Sequence, residues 1–159
     1  MRHAEPLRPT EWDGPDSTRP LSERGVEGLN SALQQMKDKG FSFQRVLSSP
    51  LARAKQTAEM MAQNGDGIPV NPQNELTAGV KPSKIREFLL NQNSVHSVLL
   101  VGHMPDLALF AGSVVPDAKL MASGIRPGEI WAIETGDMGR GWGTGKLLWQ
   151  RTLDDWKKL

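Results

Sequence analysis

Phe43-Gln44-Arg45-Val46-Leu47-Ser48-Ser49-Pro50-Leu51-Ala52-Arg53, continued by Ala54 to Gln63, is the stretch that decides the fold. Phe43 to Leu47 reads as a short strand and Ser48-Ser49-Pro50 as a turn. Leu51 to Gln63 reads as a helix: it is rich in Ala, Gln, Glu and Met, and Pro50 stands near its first turn, where a missing N–H costs little. The same grammar returns later. Ser97 to Val101 is a strand whose unbroken apolar centre predicts burial on both faces. Gly102-His103 and Pro105 follow, then Leu107 to Gly112 as a short apolar helix. Strand, turn and helix used twice point to a parallel sheet covered by helices.

The flanking segments fit this unit. Ser22 stands as an N-cap, and Val26, Leu29, Leu33 and Met36 recur at helical spacing until Gly40 stops the helix. Ile68-Pro69-Val70 is a minor extended piece, and Ser83 to Asn91 a helix with Ile85, Phe88 and Leu89 on one side. Glu129 to Thr135 and Lys146 to Thr152 read as two strands joined by the long Gly-rich loop Gly136 to Gly145. Met1 to Pro20, punctuated by Pro6, Pro9, Gly14, Pro15 and Pro20, reads as a loop without a helix. The expected fold is a three-layer α/β/α sandwich with a mixed, mostly parallel sheet, residues 1–159 forming one domain.

Composition narrows the chemistry. Nineteen Lys+Arg against eighteen Asp+Glu, with no run of like charge, argue against binding of nucleic acid. The absence of cysteine removes disulfides, thiolate nucleophiles and cysteine-bound metals. The longest apolar run, Val98 to Val101, cannot span a bilayer, and no signal-peptide pattern opens the chain. A cytoplasmic protein with no membrane role is expected.

In open α/β sheets ligands sit outside the carboxyl ends of the strands. The residues there are Ser48, Ser49 and, one helical turn on, Arg53; then Gly102 and His103; and Arg2-His3 at the head of the N-terminal loop, where a preceding strand would end. Two guanidiniums offer forked donors to a tetrahedral phosphate, and the helix beginning at Leu51 points its positive dipole end at them. An imidazole with a free nitrogen can attack phosphorus, and a second can donate to a phosphoryl oxygen. No metal or cofactor is required by this set. Taken singly, each residue has a plainer role: Arg2 and His3 as solvated surface, Arg53 as an ion-pair partner, His103 as a cap. A metal site from His3, His96 and His103 is discarded, because His96 and His103 flank one strand and stand roughly 20 Å apart at strand rise.

Arg2-His3-Ala4-Glu5, Arg19-Pro20-Leu21-Ser22-Glu23-Arg24-Gly25, Ser48 to Met61, Glu75-Leu76 and Val98 to Leu107 occur in that order over nearly the whole chain. In order and spacing they resemble the histidine phosphatase superfamily, with its phosphoglycerate mutase-like fold, and within it the small SixA-type phosphohistidine phosphatases. The resemblance implies that His3 is the nucleophile, that Arg2 and Arg53 hold the phosphate oxygens, and that His103 completes the pocket. Water would then hydrolyse a phosphohistidine intermediate. Larger members of the superfamily use a carboxylate as general acid. Glu75 lies in the region where many carry it and Glu5 is nearer His3 in sequence; either could serve, or both could be solvated loop residues.

Mutases and sugar-phosphate phosphatases of the superfamily usually carry a long insertion over the pocket, whereas here the interval Thr57 to Glu75 holds a helix end and a short turn. An uncovered pocket suits phosphohistidine on a partner protein, a histidine-phosphotransfer domain being the expected partner. The alternatives are a small-molecule phosphomonoesterase and a catalytically impaired phosphate- or phosphoprotein-binding module. The resemblance also places an apolar central strand before the Arg-His pair. Only Met1 stands there, so that strand is expected to be missing from this chain, with about five or more further apolar residues upstream.

Overall fold

A computed structural model describes residues 1–64, 67–92, 95–115, 117–136 and 143–158. The first helix, α1 (Glu23–Asp38), is capped by the Ser22 hydroxyl, which accepts from Gly25 N–H at 3.0 Å, and it buries Leu29, Ala32 and Met36 on one face. Strand β1 (Arg45–Ser48) leads into α2 (Ala52–Asn64), and β2 (Val70–Pro72) and α3 (Pro82–Leu90) follow. Then come β3 (Val98–Val101), α4 (Asp106–Val114), α5 (Ala118–Ser123), β4 (Ile130–Glu134), β5 (Lys146–Arg151) and α6 (Leu153–Lys157).

β1 pairs in parallel with β2 on one side and β3 on the other, Ser48 lying opposite Pro72 and Val101. β4 and β5 form an antiparallel pair with a register shift between Ala132 and Ile133. Alternation along the strands separates two cores. Val46, Leu99, Val101 and Ile130 pack towards α1, α2 and α6; Leu47 and Trp131 pack with residues of α3, α4 and α5. The result is the expected α/β/α sandwich with a mostly parallel sheet. On the first face Phe41, Trp149 and Trp156 stack as a cluster, the two indoles edge-on at 5.6 Å, with the Arg151 guanidinium 4.6 Å from the Trp156 ring centre.

Between the parallel and antiparallel parts lie residues 1–3. The Met1 amine donates to Leu100 O (2.9 Å), Gly102 N–H to Met1 O (3.2 Å) and His3 N–H to Gly102 O (3.1 Å); on the other side Arg2 N–H donates to Glu129 O (3.2 Å) and Gly128 N–H to Arg2 O (3.2 Å). These residues therefore join β3 to the start of β4. Beyond Met1 the two strands are separated by a slot of about 750 Å³, lined among others by Leu99, Leu100, Ile130, Trp131 and Ile133. The sheet is correspondingly divided into a three-stranded and a two-stranded part.

Several expectations shift in detail. The first strand begins at Arg45, not Phe43, whose side chain instead joins the core. β3 is less enclosed than an unbroken apolar run predicts, since Val98 is 39% exposed. The N-terminal loop contains two single-turn 3-10 helices, Pro9–Glu11 and Asp16–Thr18. The short helices α5 and α6 add to the expected elements. The extended piece falls at Val70–Pro72, and residues 137–142 of the expected hairpin loop lie outside the described residues. No described helix is long and apolar enough to cross a membrane.

Candidate active site

The carboxyl ends of residues 1–3, β1 and β3 converge on one rim. His3, Arg53 and His103 are all buried there, at 5%, 6% and 3% exposure. The two imidazole centres stand 5.2 Å apart with their planes at 56°. His3 Nδ1 lies 2.7 Å from Ala4 O. A carbonyl only accepts, so Nδ1 carries the proton and neutral His3 presents Nε2 as a bare lone pair.

The position of His3 is held from several sides. Its N–H is taken by Gly102, and the next N–H, of Ala4, donates to Thr57 Oγ1 at 3.0 Å. The Thr57 hydroxyl passes its own proton to Arg53 O (2.8 Å), so one fully buried side chain on α2 links the backbones on either side of the cluster. α1 starts directly against the following residue: a Cβ on Gly25 would lie 2.2 Å from Glu5 O, a separation that only glycine permits.

His103 Nε2 is 2.7 Å from Ser49 Oγ, which also accepts from Leu51 N–H at 3.3 Å. In the tautomer where the Ser49 hydroxyl donates to Nε2, the Nδ1–H of His103 is left as a donor. Arg53 enters from the first turn of α2, where the helix dipole adds positive potential. Its guanidinium meets Asp16, NH1 donating to the backbone O (2.9 Å) and NH2 to Oδ2 (3.1 Å). Arg2 donates through NH1 to Ile125 O (2.9 Å), and its buried Nε has no partner among the described residues.

Burial, more than any neighbour, lowers the pKa of His3 from 6.5 to about 4; the Ala4 carbonyl opposes the shift, and Arg53, Arg2 and Arg19 add to it. His103 is lowered to about 3, again chiefly by burial, then by His3 and Arg53, with Asp16 opposing. The neighbouring cations thus contribute less than desolvation does to keeping the imidazoles neutral.

The two glutamates part company. Glu5 is half-exposed and its carboxylate faces Arg24 at 3.6 Å. Glu75 is partly buried in a 3-10 turn, Asn74–Leu76, that Gln73 N–H ties to Ser48 O at 2.7 Å, at the carboxyl end of β1. Among the described residues its carboxylate has no hydrogen-bond or ion-pair partner. Three further residues, to which sequence reasoning assigns no role, belong to this neighbourhood: Asp16, Arg19 and Thr57. Arg19 Nε donates to Asp16 Oδ1 at 2.9 Å, a pairing hinted at only by an acid and a base three apart in a polar loop.

The sequence profile of the histidine phosphatase superfamily (branch 1) matches residues 1–77, which hold Arg2, His3, Arg53 and Glu75. A relative in Picosynechococcus sp., itself uncharacterised, is 30% identical over 105 residues; the match covers 62% of this chain and spans 61% of that relative's length. Among solved structures, the protein histidine phosphatase SixA complexed with tungstate is similar over 98% of this chain and 96% of its own, with a TM-score of 0.81 at 24% identity. A SixA protein of Agrobacterium tumefaciens (TM-score 0.78, 22% identity, 96% and 94% covered) and the alpha-ribazole phosphatase of Shigella flexneri (0.68, 18%, 92% and 92%) share the fold. The profile spans the Arg-His pair and the strand-turn-helix with Arg53, and the fold is shared with the SixA structure over 98% of the chain.

Proposed function

We propose that this chain, acting as one catalytic domain of residues 1–159, is a cytoplasmic phosphatase that removes the phosphoryl group from phosphohistidine on a partner protein. The observation that carries the reading is the His3 tautomer: Nδ1–H is committed to Ala4 O, and Nε2 is unprotonated in a buried pocket beside His103 and Arg53. Nε2 attacks phosphorus as the P–N bond to the substrate imidazole breaks. The phosphoryl group is then carried on His3 until water attacks phosphorus and His3 Nε2 leaves. Arg53 and Arg2 offset the phosphoryl charge and His103 donates to an oxygen, so the charge is met by the chain's own groups without a metal ion.

The departing imidazole needs a proton. Glu75 is the better placed of the two carboxylates to supply it, since it stands unpaired on the rim while Glu5 faces Arg24. A protein substrate is supported by the short connection from α2 through β2 to the Asn74–Leu76 turn, which leaves the rim open to a large ligand. A histidine-phosphotransfer domain presents its phosphoryl group in that way, so the reading is of an enzyme of signal transduction. Phosphate release from such a phosphorylated domain and from a chemically stable phosphate monoester tests the reading. The domain is expected to be much the faster substrate, and rapid quench should trap acid-labile, base-stable label on His3. Label on another residue, or its persistence in His3→Ala, would overturn the assignment.

A further inference from the structure

The cation pocket already contains an anion of the chain's own. Asp16 sits in the single 3-10 turn Asp16–Thr18 of the exposed N-terminal loop, and its side chain is 61% exposed. Its carboxylate nevertheless bridges two inward-lying guanidiniums: Oδ2 to Arg53 NH2 at 3.1 Å, and Oδ1 to Arg19 NH2 at 2.7 Å and Nε at 2.9 Å. The side chains of Arg53 and Arg19 are only 7% and 13% exposed. The charge is also felt at His103, whose pKa it raises. Around Asp16 the loop is held by Thr18 and Trp12 donating to Pro15 O, by Arg19 N–H donating to Asp16 O, and by Arg53 NH1 donating to the same backbone oxygen at 2.9 Å.

Resting on the phosphatase reading of this pocket, we propose that Asp16 is a built-in competitor: its carboxylate occupies the Arg53–Arg19 fork and must be displaced by the incoming phosphoryl group. A tethered carboxylate acts at an effective concentration of the order of mM or above. It therefore lowers the apparent affinity of every anion by one common factor. Singly charged anions, which offer the guanidiniums no more charge than Asp16 does, fall below useful occupancy. A phosphoryl dianion has twice the charge and three oxygens for Arg2, Arg19 and Arg53, and it still binds. Asp16 thus sets an entry threshold that selects strongly charged phosphoryl groups.

The experiment is calorimetric titration of wild type, Asp16→Asn and Asp16→Ala with inorganic phosphate at alkaline pH and with dimethyl phosphate, a permanent monoanion. Thermal unfolding confirms that each variant is folded. Both variants are expected to bind both ligands at least ten-fold more tightly than wild type, and by the same factor for each ligand. A gain much larger for the dianion than for the monoanion would show a charge acting from a distance, and would overturn occupancy of the fork. Weaker phosphate binding would show that Asp16 merely orients Arg53, which also overturns it. Phosphate binding in none of the proteins would remove the anion pocket itself, and the phosphatase reading with it.

Discussion

Residues 1–3 have two ends in opposite surroundings. At the site end, His3 and Ala4 are tied through their N–H groups to Gly102 and Thr57, and Gly128 N–H reaches the carbonyls of both Arg2 and His3. At the other end, beyond Met1, β3 and β4 part around the slot and no described strand joins them. The lesson is that the geometry of the reacting groups is set locally, by side-chain and backbone bonds from α2 and the loop after β3. The sheet behind supplies the platform. The two ends should accordingly respond to different perturbations.

Acid should break the site end most strongly. His3 and His103 titrate at about 4 and about 3 in the folded protein, against 6.5 when exposed. Between these values the unfolded chain binds more protons, so their contribution is fully present above about pH 7 and is lost as pH falls from 6.5 towards 3 to 4. At about 1.4 kcal/mol per pKa unit the two together put on the order of 8 kcal/mol at stake. Denaturant unfolding at pH 7 and pH 5 checks this, and equal stability at both would show that the imidazoles are not buried neutral.

Arg53→Ala comes next. Loss of a preorganised donor to the phosphoryl oxygens should cost about 3 kcal/mol or more in kcat/KM with little change in folding. Glu75→Gln should affect a monoester with a poor leaving group far more than phosphohistidine, whose P–N bond needs less help. Steady-state kinetics on both substrates separates the two, and equal losses for Glu75→Gln would remove it as the acid.

The smallest effect belongs to the slot. A five-residue Val/Ile/Leu strand appended ahead of Met1 should enter between β3 and β4, pairing their free edges and covering apolar wall. The thermal midpoint should rise by several degrees, with a modest gain in turnover from a steadier Arg2-His3. An unchanged midpoint would mean that the slot does not accept a strand. A tag that buries the same wall without pairing the edges would separate hydrophobic cover from hydrogen bonding.

How much of this is legible in the sequence depends on range. The strand-turn-helix units around Ser48–Arg53 and Gly102–Leu107 announce themselves through local periodicity and a well-placed Pro, and these local signals alone suffice to put Arg53 and His103 on one rim. α5 and α6 are too short for periodicity to register, although Thr152 and Asp155 form a capping box that marks the start of α6. Thr57 is hidden because its role is two hydrogen bonds to backbone, one of them distant in sequence, and Asp16 because it meets Arg53 across 37 residues of chain. Burial as the main cause of the lowered imidazole pKa values is not legible either, because desolvation is a property of the packed whole.

The stacked rings on the face opposite α4 have an optical consequence. Trp149 belongs to β5 and Trp156 to α6, and with Phe41 they hold fixed, edge-on orientations, Trp156 being almost completely enclosed. Rings locked in an asymmetric setting produce near-ultraviolet circular dichroism that vanishes once packing loosens, even while helices persist. The antiparallel half of the molecule therefore carries its own chromophore, by which its loosening can be followed separately from events around His3 and His103.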